Sequence, residues 1–265
     1  EEPLLAQTAA TLNTAMATHP PLQPLAHYEP KVPLQFGQVQ NNRLPTPLFC
    51  VPGAGASVTS FTEVAHGMGD AMPVYGLQPR GLSDDAIPHS DVESAARFYI
   101  AAMQQVAPHG PYHLLGHSFG GWVVCEMARQ LSAAGETVAS LIVLDSEAPL
   151  PAGVQRPFVP RAQMLMHLVT LFEQRLEQRL GITLEQLQNL APEAQLALLH
   201  ERLIEQQLLP ARTPVSTLAA IVRVFATNLN TDYNPAGIWA GDLHLVLAAD
   251  EAHNLAGAAR KNDII

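Results

Sequence analysis

The segment of this chain best suited to covalent chemistry is Gly116-His117-Ser118-Phe119-Gly120. A serine flanked by glycines two residues to either side has the spacing of a very tight strand-to-helix turn, where neighbouring Cβ atoms would collide. The apolar run Tyr112-His113-Leu114-Leu115 before it reads as a buried strand, and Gly120 to Ala133 reads as a helix. Such a context lifts the hydroxyl clear of the sheet and sets it at a helix N-terminus, whose free N–H groups favour developing negative charge. The competing reading is a glycine-rich turn without chemistry, as in nucleotide-binding sheets, but phosphate loops need a different glycine spacing. The expected chemistry is nucleophilic attack by Ser118.

A serine hydroxyl is a poor nucleophile until a histidine takes its proton and a carboxylate orients that histidine. Two carboxylates end apolar strands. Asp145 follows Leu141-Ile142-Val143-Leu144, and Asp250 follows Leu245-Val246-Leu247-Ala248-Ala249. Either reaches the edge where such sheets gather their ligands, so these residues alone leave the choice open. Each has a plainer reading as a helix cap or a solvated loop residue. The oxyanion of the reaction needs fixed N–H donors. The backbone of Phe119 is one candidate, and the loop Pro52-Gly53-Ala54-Gly55 offers Gly53 or Ala54 as the other, unless its glycines serve only to make a turn. No histidine is well placed as base: His117 adjoins the nucleophile, His244 lies within a strand, and His253 follows one directly. The remaining histidines show no metal-ligand spacing.

The elements that must position these groups alternate. Leu48 to Val51, Val74 to Leu77, Tyr112 to Leu115, Ser140 to Leu144 and Leu243 to Ala248 read as short buried strands. Val92 to Val106 places Val92, Ala95, Ala96, Tyr99, Met103 and Val106 on one helical face. Strands alternating with helices predict an α/β fold, a mostly parallel sheet covered on both faces. Residues 157–232 break the rhythm with helical pattern, and the sheet pattern resumes after them, which predicts a helical insertion in one sheet loop. Its Leu165, Phe172 and Phe225 either line a chamber or simply pack. Residues 1–45 hold Pro20, Pro21, Pro24, Pro30, Pro33 and Pro45 with a helical stretch near Leu4 to Met16, and read as a linker.

Composition narrows the partners. The chain has 265 residues, 48% hydrophobic and 14% charged, and a formal net charge of −10. That suits a packed core and argues against nucleic acid and against anionic membranes. No apolar run is long enough for a membrane span. Cys50 and Cys125 sit in separate apolar elements and read as two buried thiols, which fits a reducing cytoplasm.

Four segments together carry a family resemblance. They are Phe49 to Gly55, Val74-Tyr75-Gly76-Leu77-Gln78-Pro79-Arg80-Gly81-Leu82, Gly116 to Gly121, and Leu144-Asp145-Ser146. From about residue 34 onward the chain resembles the thioesterase domains that end nonribosomal peptide synthetases and polyketide synthases, with Val51 where that family usually has His. The resemblance implies an α/β-hydrolase fold, with 157–232 as a mobile lid and 46–265 as the thioesterase domain. It implies Asp145 as the acid. It implies an acyl or peptidyl thioester substrate on the phosphopantetheine of a carrier domain upstream of the 1–45 linker, with no bound cofactor. It further implies a catalytic histidine beyond one more helix and strand, so the base is expected past Ile265 and the domain C-terminally incomplete. Two other readings stand beside this one: a freestanding editing thioesterase or small-ester hydrolase, and a non-catalytic module that binds an acyl chain or carrier protein.

Overall fold

The computed structural model describes residues 28–38, 45–83, 85–151, 153–176 and 179–248. Six strands form one sheet: β1 (Lys31–Gln35), β2 (Leu48–Val51), β3 (Val74–Leu77), β4 (Tyr112–His117), β5 (Val138–Leu144) and β6 (Leu243–Val246). Their order is β1-β3-β2-β4-β5-β6, parallel throughout except for β1, which runs antiparallel to β3. Leu48-Phe49-Cys50-Val51 is buried at every position, because helices cover both faces of this central strand. Phe49 and Val51 face α2 (Val92–Gln104) and α3 (Phe119–Ala133), while Leu48 and Cys50 face α1 (Thr62–Met68) and the short 3-10 turn before it. Period-two alternation thus operates inside a strand that reads as uniformly apolar.

Helix α2 begins where expected. Asp91 caps it by accepting a 2.7 Å hydrogen bond from the Ser94 N–H, satisfying one of the free donors of the first turn. Its buried face is Val92, Ala95, Ala96, Tyr99, Ala102 and Met103, spaced as an amphipathic helix requires.

Residues 31–35 correct the reading of 1–45 as linker throughout. They form the edge strand β1, in which Pro33 pairs opposite Tyr75 next to a register shift. An edge strand needs ladder bonds along one side only, so a proline lacking its N–H is tolerated there. Residues 1–27 and 39–44, including the helical stretch at Leu4 to Met16, lie outside the described residues. Strand β6 is also shorter than expected, ending at Val246.

The insertion between β5 and β6 is helical, comprising α4 (Arg161–Leu176), α5 (Leu184–Gln188), α6 (Pro192–Glu205) and α7 (Val215–Leu229). These helices share an apolar cluster of their own, with Leu165, Leu187, Leu199, Leu203, Leu218 and Phe225 buried in it and Phe172 packed against it. Leu165 and Phe225 are therefore packing residues. Cys50 and Cys125 are both free; Cys50 is buried and Cys125 half-buried. Burial pushes both thiols up to about 12, helped at Cys125 by the Glu126 charge, so neither is a ready nucleophile. Among the described residues, no helix is long and apolar enough to cross a membrane.

The chain returns from the insertion to the sheet over a buried polar strap. Glu126 of α3 is fully buried. Its carboxylate accepts hydrogen bonds from Arg129 Nε and Nη2, Gln130 Nε2, and the Tyr233 hydroxyl at 2.9 Å. Burial alone would raise the Glu126 pKa, but the donors and the Arg129 charge outweigh it and hold the carboxyl below its ordinary value. A depressed acid stabilises the fold fully above the ordinary glutamate range, and that contribution disappears as pH falls through the depressed value. Tyr233→Phe is expected to lower unfolding free energy by about 1.5–3 kcal/mol, the usual loss of a hydrogen bond to a charged group. Denaturant titration at neutral pH checks this, and the deficit should shrink in acid.

Candidate active site

Strand β4 hands over to α3 through Ser118, whose φ of 51° and ψ of −121° are rare for a residue with a side chain. Holding such a conformation costs on the order of 1–3 kcal/mol, which the surroundings must impose. They do so by close backbone approach. A Cβ on Gly116 would lie 2.3 Å from the Gly120 carbonyl oxygen, and one on Gly120 would lie 2.2 Å from that of Val51. Both flanking glycines are thus required by contact, as the spacing predicts.

The elbow is clamped from β5 as well. The Ser118 N–H donates to Leu144 O at 2.9 Å, and the Ser146 hydroxyl donates to Ser118 O. Gly121 leaves room for that hydroxyl, since a Cβ there would meet Ser146 Oγ at 2.0 Å. Ser146 is 1% exposed. In sequence Ser146 shows only as an isolated serine just past an apolar strand, within Leu144-Asp145-Ser146.

Asp145 lies between these two clamping residues. It ends β5 with a φ of 46°, is exposed, and donates its N–H to Val246 O at 2.8 Å. Strand adjacency therefore carries Asp145 to the elbow. Asp250 and His253 lie outside the described residues. His117 is half-buried; burial pushes its ring pKa down, and the charge of Asp145 partly offsets this. His244 is exposed on β6. The ring hydrogen bonds of His109, His113 and His200 go to Glu136, Ser140 and Thr213 O. Among the described residues, no histidine is hydrogen-bonded to the Ser118 hydroxyl.

Phe119 is the first residue of α3, so its N–H belongs to the unpaired first turn. The loop after β2 borders the same point. A Cβ on Gly53 would sit 3.0 Å from His117 Nδ1 and 3.3 Å from Ser118 Cβ, and the Gly53 carbonyl accepts from Ala56 N at 3.1 Å in a turn. Ala54 packs instead against the cluster of the helical insertion. Of the two residues, Gly53 is the one set against the elbow.

Helix α7 rests on this loop and on the loop after β3. Gly55, at φ 66°, would bring a Cβ to 2.8 Å from Phe225 Cβ, and Arg223 Nη2 donates to Gly81 O at 2.7 Å. Beneath α7 a small cavity of about 20 Å³ touches Pro52, Phe119, Val224 and Asn228, enough space for one water. A cavity of about 950 Å³ runs along α3 between Trp122, Cys125, Leu150, Ile238 and Trp239 and reaches Gly121 and Ser146, both hydrogen-bonded to Ser118 O.

The geometry has counterparts among known proteins. A dimodular nonribosomal peptide synthase of Bacillus subtilis (strain 168) is 42% identical over 100 residues, 38% of this chain. The chain spans only 4% of that relative's length. Among solved structures, a four-domain nonribosomal peptide synthetase bound to AMP and glycine aligns over 91% of this chain and 18% of its own, with a TM-score of 0.73 and 24% identity. The type II thioesterase of the borrelidin biosynthetic cluster aligns over 88% of this chain and 84% of its own, with a TM-score of 0.58 and 18% identity. At these identities the two structures establish the α/β-hydrolase fold. Residues 46–190, more than half of the chain, match the thioesterase domain family, and the chain belongs to that family.

Proposed function

We propose that this thioesterase takes an acyl or peptidyl chain from the phosphopantetheine of a carrier domain onto Ser118 and then releases it. The observation that carries the reading is the strained Ser118 elbow with the Gly53 loop set against it. Ser118 Oγ attacks the thioester carbonyl while a general base accepts its proton. The tetrahedral oxyanion is met by the Phe119 N–H and by an N–H of the Gly53-Ala54 loop. Collapse breaks the C–S bond, and the leaving thiolate takes the proton back from the base. Water, or a hydroxyl or amine of the chain itself, then attacks the Ser118 ester by the same route, giving an acid or a ring.

The base in this reading is a histidine outside the described residues, oriented by Asp145. Asp145 is favoured because its two chain neighbours are bonded to Ser118. The segment preceding β1 would lead from the carrier domain. The synthetase relatives support a domain within a larger enzyme, of which the chain covers a small share. A second reading, a freestanding thioesterase, is favoured by the borrelidin-cluster protein, of which the chain covers 84%.

Intact-protein mass spectrometry after treatment with a fluorophosphonate, with and without added imidazole, tests the nucleophile. A single adduct that is lost in Ser118→Ala is expected. Labelling without imidazole puts the base within residues 1–265, and labelling only with it puts the base elsewhere. No adduct under either condition overturns the serine mechanism.

The acid is tested in whichever form of the protein labels without imidazole. Asp145→Asn should slow labelling by about 10⁴-fold, as when a triad carboxylate is neutralised. Asp250→Asn should change the rate less than about tenfold on the same scale. The reverse result moves the acid to Asp250.

A further inference from the structure

The peptide group between Ser118 and Phe119 serves the site at both ends. Its carbonyl belongs to the nucleophile, and its N–H is the first donor to the oxyanion in the reaction proposed above. The one cis peptide bond among the described residues is Gly110–Pro111. The Ser118–Phe119 bond is therefore trans, and its C=O and N–H lie in one plane and point in opposite directions. Whatever fixes Ser118 O also fixes the line along which the Phe119 N–H is aimed.

Two donors hold Ser118 O. The Gly121 N–H donates at 2.8 Å from the first turn of α3, and the Ser146 hydroxyl donates from just past β5. One partner is all that a protein carbonyl ordinarily needs, so the second goes beyond satisfying it. Space is cleared for that second donor. Ser146 is 1% exposed, and a Cβ at Gly121 would stand 2.0 Å from its hydroxyl oxygen.

The direction of this hold matters. With Ser118 O turned toward the first turn of α3 and toward Ser146, the Phe119 N–H faces the opposite way, out of the helix N-terminus and away from β5. Strand β4 lies between β5 and β2, and the Gly53 loop, which offers the other oxyanion donor, follows β2. A hydrogen bond accepted by a carbonyl also polarises its peptide and strengthens the N–H as a donor.

We propose that Ser146 is a positioning residue for the oxyanion hole, aiming and strengthening the Phe119 N–H through the Ser118–Phe119 peptide. The proposal rests on the Ser118 mechanism above and adds a residue that acts on it through the backbone. Without the Ser146 hydroxyl the peptide keeps only the Gly121 bond, and the donor weakens where negative charge develops.

Fluorophosphonate labelling kinetics, run under whichever imidazole condition labels the native protein, test this. The phosphoryl oxygen gains charge as Ser118 attacks, so it calls on the same donor. Ser146→Ala should lower the limiting labelling rate by about 10²-fold, as for a misplaced catalytic group, with the half-saturating concentration changed less than about twofold. Ser146→Thr keeps the hydroxyl, and the cavity of about 950 Å³ that reaches Ser146 has room for its methyl. It should restore the rate to within about threefold of native. If Ser146→Ala does not fold, Ser146→Cys fills the space with a weaker donor and should slow labelling at least about tenfold. In protein carrying ¹⁵N-phenylalanine, the Phe119 nitrogen, assigned by its loss in Phe119→Leu, should move upfield in Ser146→Ala and return in Ser146→Thr. An unchanged limiting rate, a loss confined to the half-saturating concentration, a threonine variant as slow as alanine, or an unmoved Phe119 nitrogen overturns the proposal and leaves the serine mechanism standing. A native protein that gives no adduct under either condition refutes the serine mechanism, and the proposal falls with it.

Discussion

Gly120 approaches the end of β2 so closely that a single added carbon would stand 2.2 Å from the Val51 carbonyl oxygen. This contact draws the C-terminal ends of β2 and β4 together, and it makes the turn at Ser118 too tight for an ordinary backbone conformation. Leu144 O and the Ser146 hydroxyl then hold the strained serine from β5. Three neighbouring strands meet at one residue, and each contributes something to it. From β2 come the loop glycines, from β4 the serine, and from β5 the Leu144 carbonyl and the Ser146 hydroxyl that hold it. Strain of this kind persists only where the surroundings over-determine it, and here every side of the elbow is fixed by backbone or by a buried hydroxyl.

The helical insertion is a different kind of object. It has its own apolar cluster, so its internal packing does not depend on the sheet. Its attachments to the site are few and specific: Phe225 against Gly55, Arg223 to Gly81 O, and the return through Tyr233 to Glu126. The first two land on the loops after β2 and β3, the former of which borders Ser118. A displacement of α7 would therefore alter the roof of the site and leave the elbow, fixed from within the sheet, in place. The strap at Glu126 anchors the end of the insertion to the helix that starts beside Ser118.

Much of this was legible in the sequence, and what was legible was local. The elbow is a five-residue pattern whose glycines answer to contacts within and just beside the turn. The buried strands are uninterrupted apolar runs. The insertion shows as a break in a strand-helix alternation. What was missed depends on residues far apart in the chain. Strand β1 was hidden by proline density, because only its place at the sheet edge, opposite Val74–Leu77, makes Pro33 acceptable. Glu126 stands alone in an apolar helix face, with Arg129 and Gln130 one turn on, which signals a buried carboxylate. Its partner Tyr233 lies 107 residues away and could not be inferred.

The ambiguity between Asp145 and Asp250 shows how sheet order supplies what strand pattern cannot. Each carboxylate follows a buried-looking strand, and sequence alone gives both the same edge. In the sheet, β5 pairs directly with β4, whereas β6 is one strand further out. Leu144 and Ser146 consequently reach Ser118 itself, while the last residue of β6, Val246, reaches Asp145 by accepting its N–H. The end of β6 is thus bonded to Asp145, and Asp250 lies outside the described residues. Adjacency to β4 also accounts for the positive φ of Asp145. The chain must turn sharply there to bring Ser146 beneath the serine, and aspartate is among the few side-chain-bearing residues that adopt this conformation readily. The residue type that suits the turn is the residue type that a histidine base requires.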